Sequence, residues 1–227
     1  MIDPVPVNLG LFVKEPVAGR VKTRLARSIG DRAATDLYRA FVADTLTLAL
    51  NSRARHCRIF HSGAPLSSWN PGLWSSASGG FLSEQPQSAG GLGERLATAF
   101  SAGPCPLLIL GTDSPDLPEA LLTSALEALD AGAELVLGAV SDGGVWCIGL
   151  DRPRPELLSG IPWSSSRTGG ALRNRADDLG LDRVEVAPWY DCDLEQDLLQ
   201  LAARLRDRPE GATMTRHALE ETSSNPD

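Results

Sequence analysis

The chain has 227 residues, 42% hydrophobic and 22% charged, and its 21 basic against 29 acidic side chains give a formal charge of −8. At ~150 residues per domain this length predicts one domain with a core of its own, and the ordinary composition excludes a disordered, collagenous or coiled-coil chain. The acid excess argues against a protein that coats nucleic acid, no apolar run approaches the ~20 residues of a membrane span, and the start lacks the basic and apolar regions of a secretory signal, so a cytoplasmic setting is expected.

Residues 5–13 form a short apolar segment that ends in a charged turn, which predicts a buried first strand feeding a loop. A helix is expected over Asp31–Leu50, with Asp31 capping its start. Arg58–His61 is a second strand candidate, residues 62–80 read as irregular connection, and Leu92–Ala102 as a short helix. Pro106–Leu110 predicts a central strand stopped by Gly111, and a helix begins at Pro118. Glu134–Val140 and Val145–Leu150 are strand candidates joined by Ser141-Asp142-Gly143-Gly144, either as a hairpin or across a longer excursion. Helices over Arg167–Leu179 and Leu194–Leu205, with a strand at Arg183–Val186 between them, complete the alternation. This order predicts an α/β fold, an open and mostly parallel sheet with helices on both faces and ligands beyond the carboxyl ends of the strands. A single domain over 1–207 is expected, with 208–227 as a frayed polar tail.

Four cysteines at wide spacing, with no Cys-x-x-Cys pair and three histidines in all, point to structural thiols rather than a zinc or redox site. Between Lys14 and Arg27, however, five of the 21 basic residues fall within 14 positions. A cationic loop after the first strand of an acidic protein suits a phosphate or pyrophosphate, with Gly19 permitting close backbone approach. It is not a Walker loop, because Val21 stands where that motif needs glycine before the lysine; the alternative is a solvated basic turn. Gly111-Thr112-Asp113-Ser114-Pro115-Asp116 places two carboxylates in one loop, which suits Mg2+ or Mn2+ shared with substrate phosphates. Asp113 is the preferred ligand, while Asp116 is read as a cap for the helix near Pro118. Asp142-Gly143-Gly144 lets backbone lie against a flat ligand or simply turns the chain. In Tyr190-Asp191-Cys192-Asp193, alternation puts Asp191 and Asp193 on one side. Asp193 is then either a second metal ligand or a helix N-cap. Trp163 and Ser164, in Gly160-Ile161-Pro162-Trp163-Ser164-Ser165-Ser166, are candidates to contact a sugar or acceptor, or else ordinary helix-start residues.

Taken in order, Phe12-Val13-Lys14-x-Pro16-x-x-Gly19-x-Val21-Lys22-Thr23-Arg24-Leu25, Leu92-Gly93-Glu94-Arg95, Gly111-Thr112-Asp113-Ser114-Pro115, Ser141-Asp142-Gly143-Gly144 and Asp191-Cys192-Asp193 resemble a bacterial transferase family. It is the glycosyltransferase-A-like family labelled radical-SAM or selenodomain-associated transferases, and the resemblance spans roughly Asn8 to Leu205. It implies the nucleotide-diphospho-sugar transferase fold. Carried over residue by residue, it implies that Gly19, Arg20, Lys22 and Arg24 surround the nucleotide phosphates; Lys14, Glu94 and Arg95, within the same motifs, are expected to bind the nucleotide as well. Asp113 and Asp193 would hold the metal, with Asp113 and Lys22 as the catalytic pair. Asp142, Gly143, Gly144, Trp163 and Ser164 would face the acceptor. The chain departs from the family at Gly91, Val145, Arg167 and Leu194-Glu195, where aspartate, tyrosine, a small hydroxyl residue and a Thr-Pro pair are usual.

Three activities follow as expectations. The first is metal-dependent glycosyl transfer from a nucleotide-activated donor to a small acceptor. The second is nucleotidyl transfer, in which an acceptor phosphate attacks a nucleoside triphosphate and pyrophosphate leaves against Lys22 and Arg24. The third is nucleotide binding without catalysis, prompted by Gly91, Val145 and Arg167.

Overall fold

A computed structural model describes residues 7–76, 80–208 and 210–224 of the chain; residues 5 and 6 of the expected first strand lie outside them. In chain order the elements are β1 (Asn8–Lys14), α1 (Thr23–Ile29), α2 (Asp31–Asn51), β2 (Cys57–Ser62), α3 (Leu66–Trp69) and α4 (Pro71–Ser76). There follow β3 (Leu82–Pro86), α5 (Leu92–Ser101), β4 (Leu107–Leu110), α6 (Glu119–Asp130), β5 (Leu135–Val140) and β6 (Val145–Leu150). The chain ends with α7 (Pro155–Leu158), α8 (Thr168–Asp178), β7 (Arg183–Trp189), α9 (Glu195–Asp207) and α10 (Thr213–Ser224).

The strands form one seven-stranded sheet in the order β3-β2-β1-β4-β6-β5-β7. All run parallel except β6, which is antiparallel to both β4 and β5. That exception follows from chain length. A parallel return needs a crossover of roughly a dozen residues, and only residues 141–144 separate β5 from β6, so the hairpin is the geometry that occurs.

Both faces of the sheet are buried, which is why β1 and β4 read as near-continuous apolar runs. On one face Leu9, Leu11 and Val13 pack with Val42 and Leu46 of α2 and Leu122 of α6. On the other, Phe60, Ile109 and Ile148 meet Leu96 and Phe100 of α5 and Leu172 of α8. A third cluster joins Leu25, Leu37 and Phe41 to Cys192 and to Leu198, Leu201 and Leu205 of α9. The four cysteines are free thiols, and all but Cys105 are buried.

Several expectations are corrected. Residues 62–80 carry two short helices in their described part, and β3 follows as an edge strand; its polar sequence Leu82-Ser83-Glu84-Gln85-Pro86 hides a pairing that backbone bonds to β2 supply. Gly30, at φ 83°, breaks the chain between α1 and α2, so Asp31 is the first helical residue rather than a cap. Most of the expected frayed tail is α10. Two first-turn amides, those of Met214 and Thr215, donate to the buried carboxylate of Asp44 on α2 at 3.1 and 2.7 Å. The cap comes from 170 positions away, where no local pattern reveals it. Residues 209 and 225–227 of that tail lie outside the described residues.

Candidate functional site

The sheet order reverses between β1 and β4: the strands after β1 lie to one side, those after β4 to the other. In an open α/β sheet a crevice opens at that point, beyond the carboxyl ends. The basic loop after β1, the Asp113 loop after β4 and the Asp191–Asp193 segment after β7 converge there. Lys22 is their common point. Its side chain is 3% exposed, its ammonium pairs with Asp113 Oδ1 and with Asp193 Oδ1 at 3.1 Å, and it donates to the Cys192 carbonyl at 2.9 Å. Burial alone would lower the lysine pKa, but the carboxylates of Asp113 and then Asp193 more than offset it and hold the ammonium charged.

Lys22 also occupies the left-handed region at φ 46°, immediately before α1. A non-glycine residue there costs on the order of 1 kcal/mol, offset by the three oxygens its ammonium reaches. Arg24, on the first turn of α1, pairs with Asp193 Oδ2 at 3.4 Å, while Lys14, Gly19 and Arg20 are exposed around the loop. Thus the loop divides its cations: Lys22 turns inward onto carboxylates, and Arg20 and Lys14 face solvent.

Further bonds lock the loops together. The Cys192 amide donates to the Asp113 carbonyl at 2.9 Å, and Ser114 Oγ donates to Asp191 Oδ1 at 2.7 Å. The Tyr38 hydroxyl of α2 accepts the Lys14 amide at 2.9 Å and meets Thr112 Oγ1 at 3.4 Å, tying the end of β1 to the end of β4. Burial, reinforced by the nearby Asp113 carboxylate, pushes the Asp191 carboxyl up to about 7. Asp193 is not the N-cap of α9. Leu194 holds that position, and Asp197 Oδ2 accepts the amides of Asp193 and Leu194, leaving the Asp193 side chain to face Lys22 and Arg24.

Asp116 does not cap α6 either, because the chain enters that helix at Pro118 with no side-chain cap. Its buried carboxylate instead takes Arg204 of α9 at 2.7 Å and the Trp189 indole N–H at 3.2 Å, joining the Asp113 loop to α9. The remaining expected residues form a second neighbourhood. Glu94 reaches back to the Gly91 amide at 2.8 Å, and Arg95 donates to the Gly90 carbonyl and to Gln87; no contact among the described residues links either to Lys22. Trp163 lies against Gly93, where a Cβ would stand 2.3 Å from its indole nitrogen, and that N–H donates to the Leu158 carbonyl. Its indole packs the head of α5. Gly143, at φ 93°, leaves no room for a side chain against the Ser166 carbonyl, so the hairpin tip is seated on the segment that carries Ser164. Asp142 at that tip is exposed and accepts the Gly144 amide at 2.9 Å.

Tyr38, Ser114 and Asp191 were not marked as site residues by the sequence. Asp191 carried a signal in its alternation with Asp193, and Ser114 in its place beside Asp113 in the motif after β4; Tyr38 carried none. Among the described residues no three histidine, cysteine or acidic side chains form a ready-made metal cluster. Asp113 and Asp193 nevertheless fit a hard divalent cation: both are oxygen donors, they already converge on one cationic group, and their side chains are 46% and 40% exposed.

The profile of a family described as "uncharacterized protein conserved in bacteria" (DUF2064) matches residues 47–165, more than half of the chain, and the protein belongs to that family. Among solved structures, a candidate nucleotide-diphospho-sugar transferase from Desulfovibrio desulfuricans G20 is 27% identical, with a TM-score of 0.81 over 96% of this chain and 95% of that one. The 4-diphosphocytidyl-2C-methyl-D-erythritol synthase of Anaerococcus prevotii shares the fold at 10% identity, TM-score 0.57, covering 87% and 96%. So does Rv0371c of Mycobacterium tuberculosis, solved in complex with manganese, at 16% identity, TM-score 0.51, covering 87% and 98%. No curated protein sequence is significantly similar to the chain. The fold is that of the nucleotide-diphospho-sugar transferases, as the motifs imply.

Proposed function

We propose that the protein is a divalent-metal-dependent transferase that moves the glycosyl group of a sugar nucleotide to a small acceptor. The observation that carries this reading is the convergence of Asp113 and Asp193 on Lys22 at the sheet's switch point, beside the exposed Arg20. Asp113 and Asp193 would hold Mg2+ or Mn2+, which when bound supplies Lewis-acid neutralisation of the departing diphosphate; the manganese complex of a protein with this fold agrees with that choice. Lys22 keeps the two carboxylates together, and Arg20, Arg24 and Lys14 receive the nucleotide phosphates. In the transfer the acceptor hydroxyl oxygen bonds to the anomeric carbon as the bond from that carbon to the diphosphate breaks. The electron pair leaves with the diphosphate and the hydroxyl proton passes to water. Positioning and charge neutralisation supply the catalysis, with no nucleophilic side chain.

One observation favours nucleotidyl transfer instead: the concentration of five basic residues between Lys14 and Arg27 suits a departing pyrophosphate. A thermal-shift screen separates the two. Nucleoside triphosphates and sugar nucleotides are added with and without Mg2+ or Mn2+, since a ligand at about 100 times its Kd stabilises by about 2.7 kcal/mol. A metal-dependent shift with sugar nucleotides is expected. A shift confined to triphosphates would transfer the assignment to nucleotidyl chemistry, and no shift would remove both.

A further inference from the structure

Beside Asp193 a cavity of about 310 Å³ opens between the hairpin tip, the segment after β7 and the first turns of α9, with Arg24 at its edge. Its wall includes Asp142, Tyr190, Asp191, Gln196 and Gln200. Arg24, Asp191 and Asp193 form the shared border between cavity and candidate centre.

The cavity holds four carboxyl groups, of Asp142, Asp191, Asp193 and Asp197, against two cations, Arg24 and Arg204. Both cations have carboxylate partners. Arg204 donates to Asp116 at 2.7 Å and lies 4.8 Å from the Tyr190 ring centroid, and Arg24 pairs with Asp193 at 3.4 Å. Arg204 is held by Asp116 and Arg24 is the cation that the donor phosphates would take, so a phosphate on the acceptor would meet more carboxyl groups than cations and find neither arginine free. The groups left to a ligand are of another kind: the amides of Gln196 and Gln200, which make no side-chain hydrogen bond among the described residues, the outer edge of Asp142, and Tyr190, which is 42% exposed. Carboxylates and amides read hydroxyl and amine donors, and an aromatic face takes the apolar side of a sugar ring.

We infer that this cavity is the acceptor subsite and that it takes an unphosphorylated polyhydroxy or amino-sugar compound. The inference rests on the transferase reading and deepens it, since a phosphorylated acceptor, which the nucleotidyl alternative requires, does not match the wall.

The test is ligand-observed saturation-transfer NMR on the full chain with no nucleotide present, using glucose, glucosamine and glucose 6-phosphate as probes at about 10 mM, where millimolar affinities register. Glucose or glucosamine is expected to give saturation transfer, glucose 6-phosphate at least about threefold less, and the double variant Gln196→Leu, Gln200→Leu to lose most of the signal. Asp142→Asn, at an exposed hairpin tip, is the second variant and is expected to weaken glucosamine more than glucose. Equal or stronger binding of the phosphate ester, signals unchanged in both variants, or no signal from any probe would overturn the assignment. Because the readout involves neither nucleotide nor turnover, sugar binding with no response in the nucleotide screen would remove the donor reading and leave the cavity standing. The reverse pattern would remove only the cavity.

Discussion

Asp191 faces two opposing influences. Burial and the carboxylates of Asp113 and Asp193 favour its protonated form, while the Ser114 hydroxyl and the Lys22 ammonium favour the ionised one, and the first group prevails at about 7. In the unfolded chain the same carboxyl titrates near ~3.9, so folding takes up a proton between those values. Its stabilising contribution is complete below about pH 4 and is lost as pH rises through about 7. In chelator, the unfolding free energy of the wild type should therefore fall more steeply between those limits than that of Asp191→Asn, by roughly 2 to 4 kcal/mol. Parallel denaturation profiles would show that the carboxyl is not raised.

Lys22 and Asp113 carry the companion prediction. Asp113→Asn is expected to cost on the order of 10²-fold or more in turnover but little stability, because Asp193 and the Cys192 carbonyl still hold the ammonium. Lys22→Ala leaves neighbouring carboxylates without their shared cation, and nucleotide affinity measured by calorimetry should drop about tenfold. At this scale the sequence singled out Asp113 and Asp193 from their motifs, and the fold brings both carboxylates onto Lys22. It was not legible at Tyr38, nor in the bond from Ser114 to Asp191, which join the site across 24 and 77 positions. Glu94 and Trp163 show the converse, since the same motif also serves the local packing around α5.

Among the elements, α10 is the clearest case of structure imposed from a distance. A polar segment of Thr213–Ser224 becomes a helix because Asp44 accepts its opening amides and because Ala218 and Leu219 pack near the α1–α2–α9 cluster. Asp44→Ala should lower the unfolding free energy by about 1–2 kcal/mol and speed hydrogen exchange across 213–224 well before α9 is affected; uniform acceleration of both helices would contradict this. β3 was missed for a related reason. Neither face of β3 is fully covered at the sheet edge, so its polar side chains carry no buried alternation and only its backbone pairing to β2 marks it as a strand. The central strands and long helices were legible because both faces of the sheet must be covered and each element carries that demand in its own pattern.

For the molecule as a whole, the alternation of strands and helices with one four-residue hairpin specified an open sheet, and the switch point between β1 and β4 then placed the crevice. What alternation does not reveal is how the two sides of that crevice are fastened. The Asp116–Arg204 pair, with a carboxylate side chain only 3% exposed, links the loop after β4 to α9. Arg204→Met should cost about 3 kcal/mol by leaving that carboxylate with the Trp189 indole N–H and a 3.5 Å contact to Arg208, and chemical denaturation measures it.

Donor chemistry at Asp113 and Asp193 is tested most directly by incubating the protein with Mn2+, with glucose, glucosamine and glucose 6-phosphate as acceptors, and with separate pools of sugar nucleotides and nucleoside triphosphates, and resolving the products by phosphorus NMR. Release of nucleoside diphosphate from a sugar nucleotide, abolished by Asp113→Asn, is the predicted result. Pyrophosphate released only from triphosphates, or release unaffected by that substitution, would contradict it.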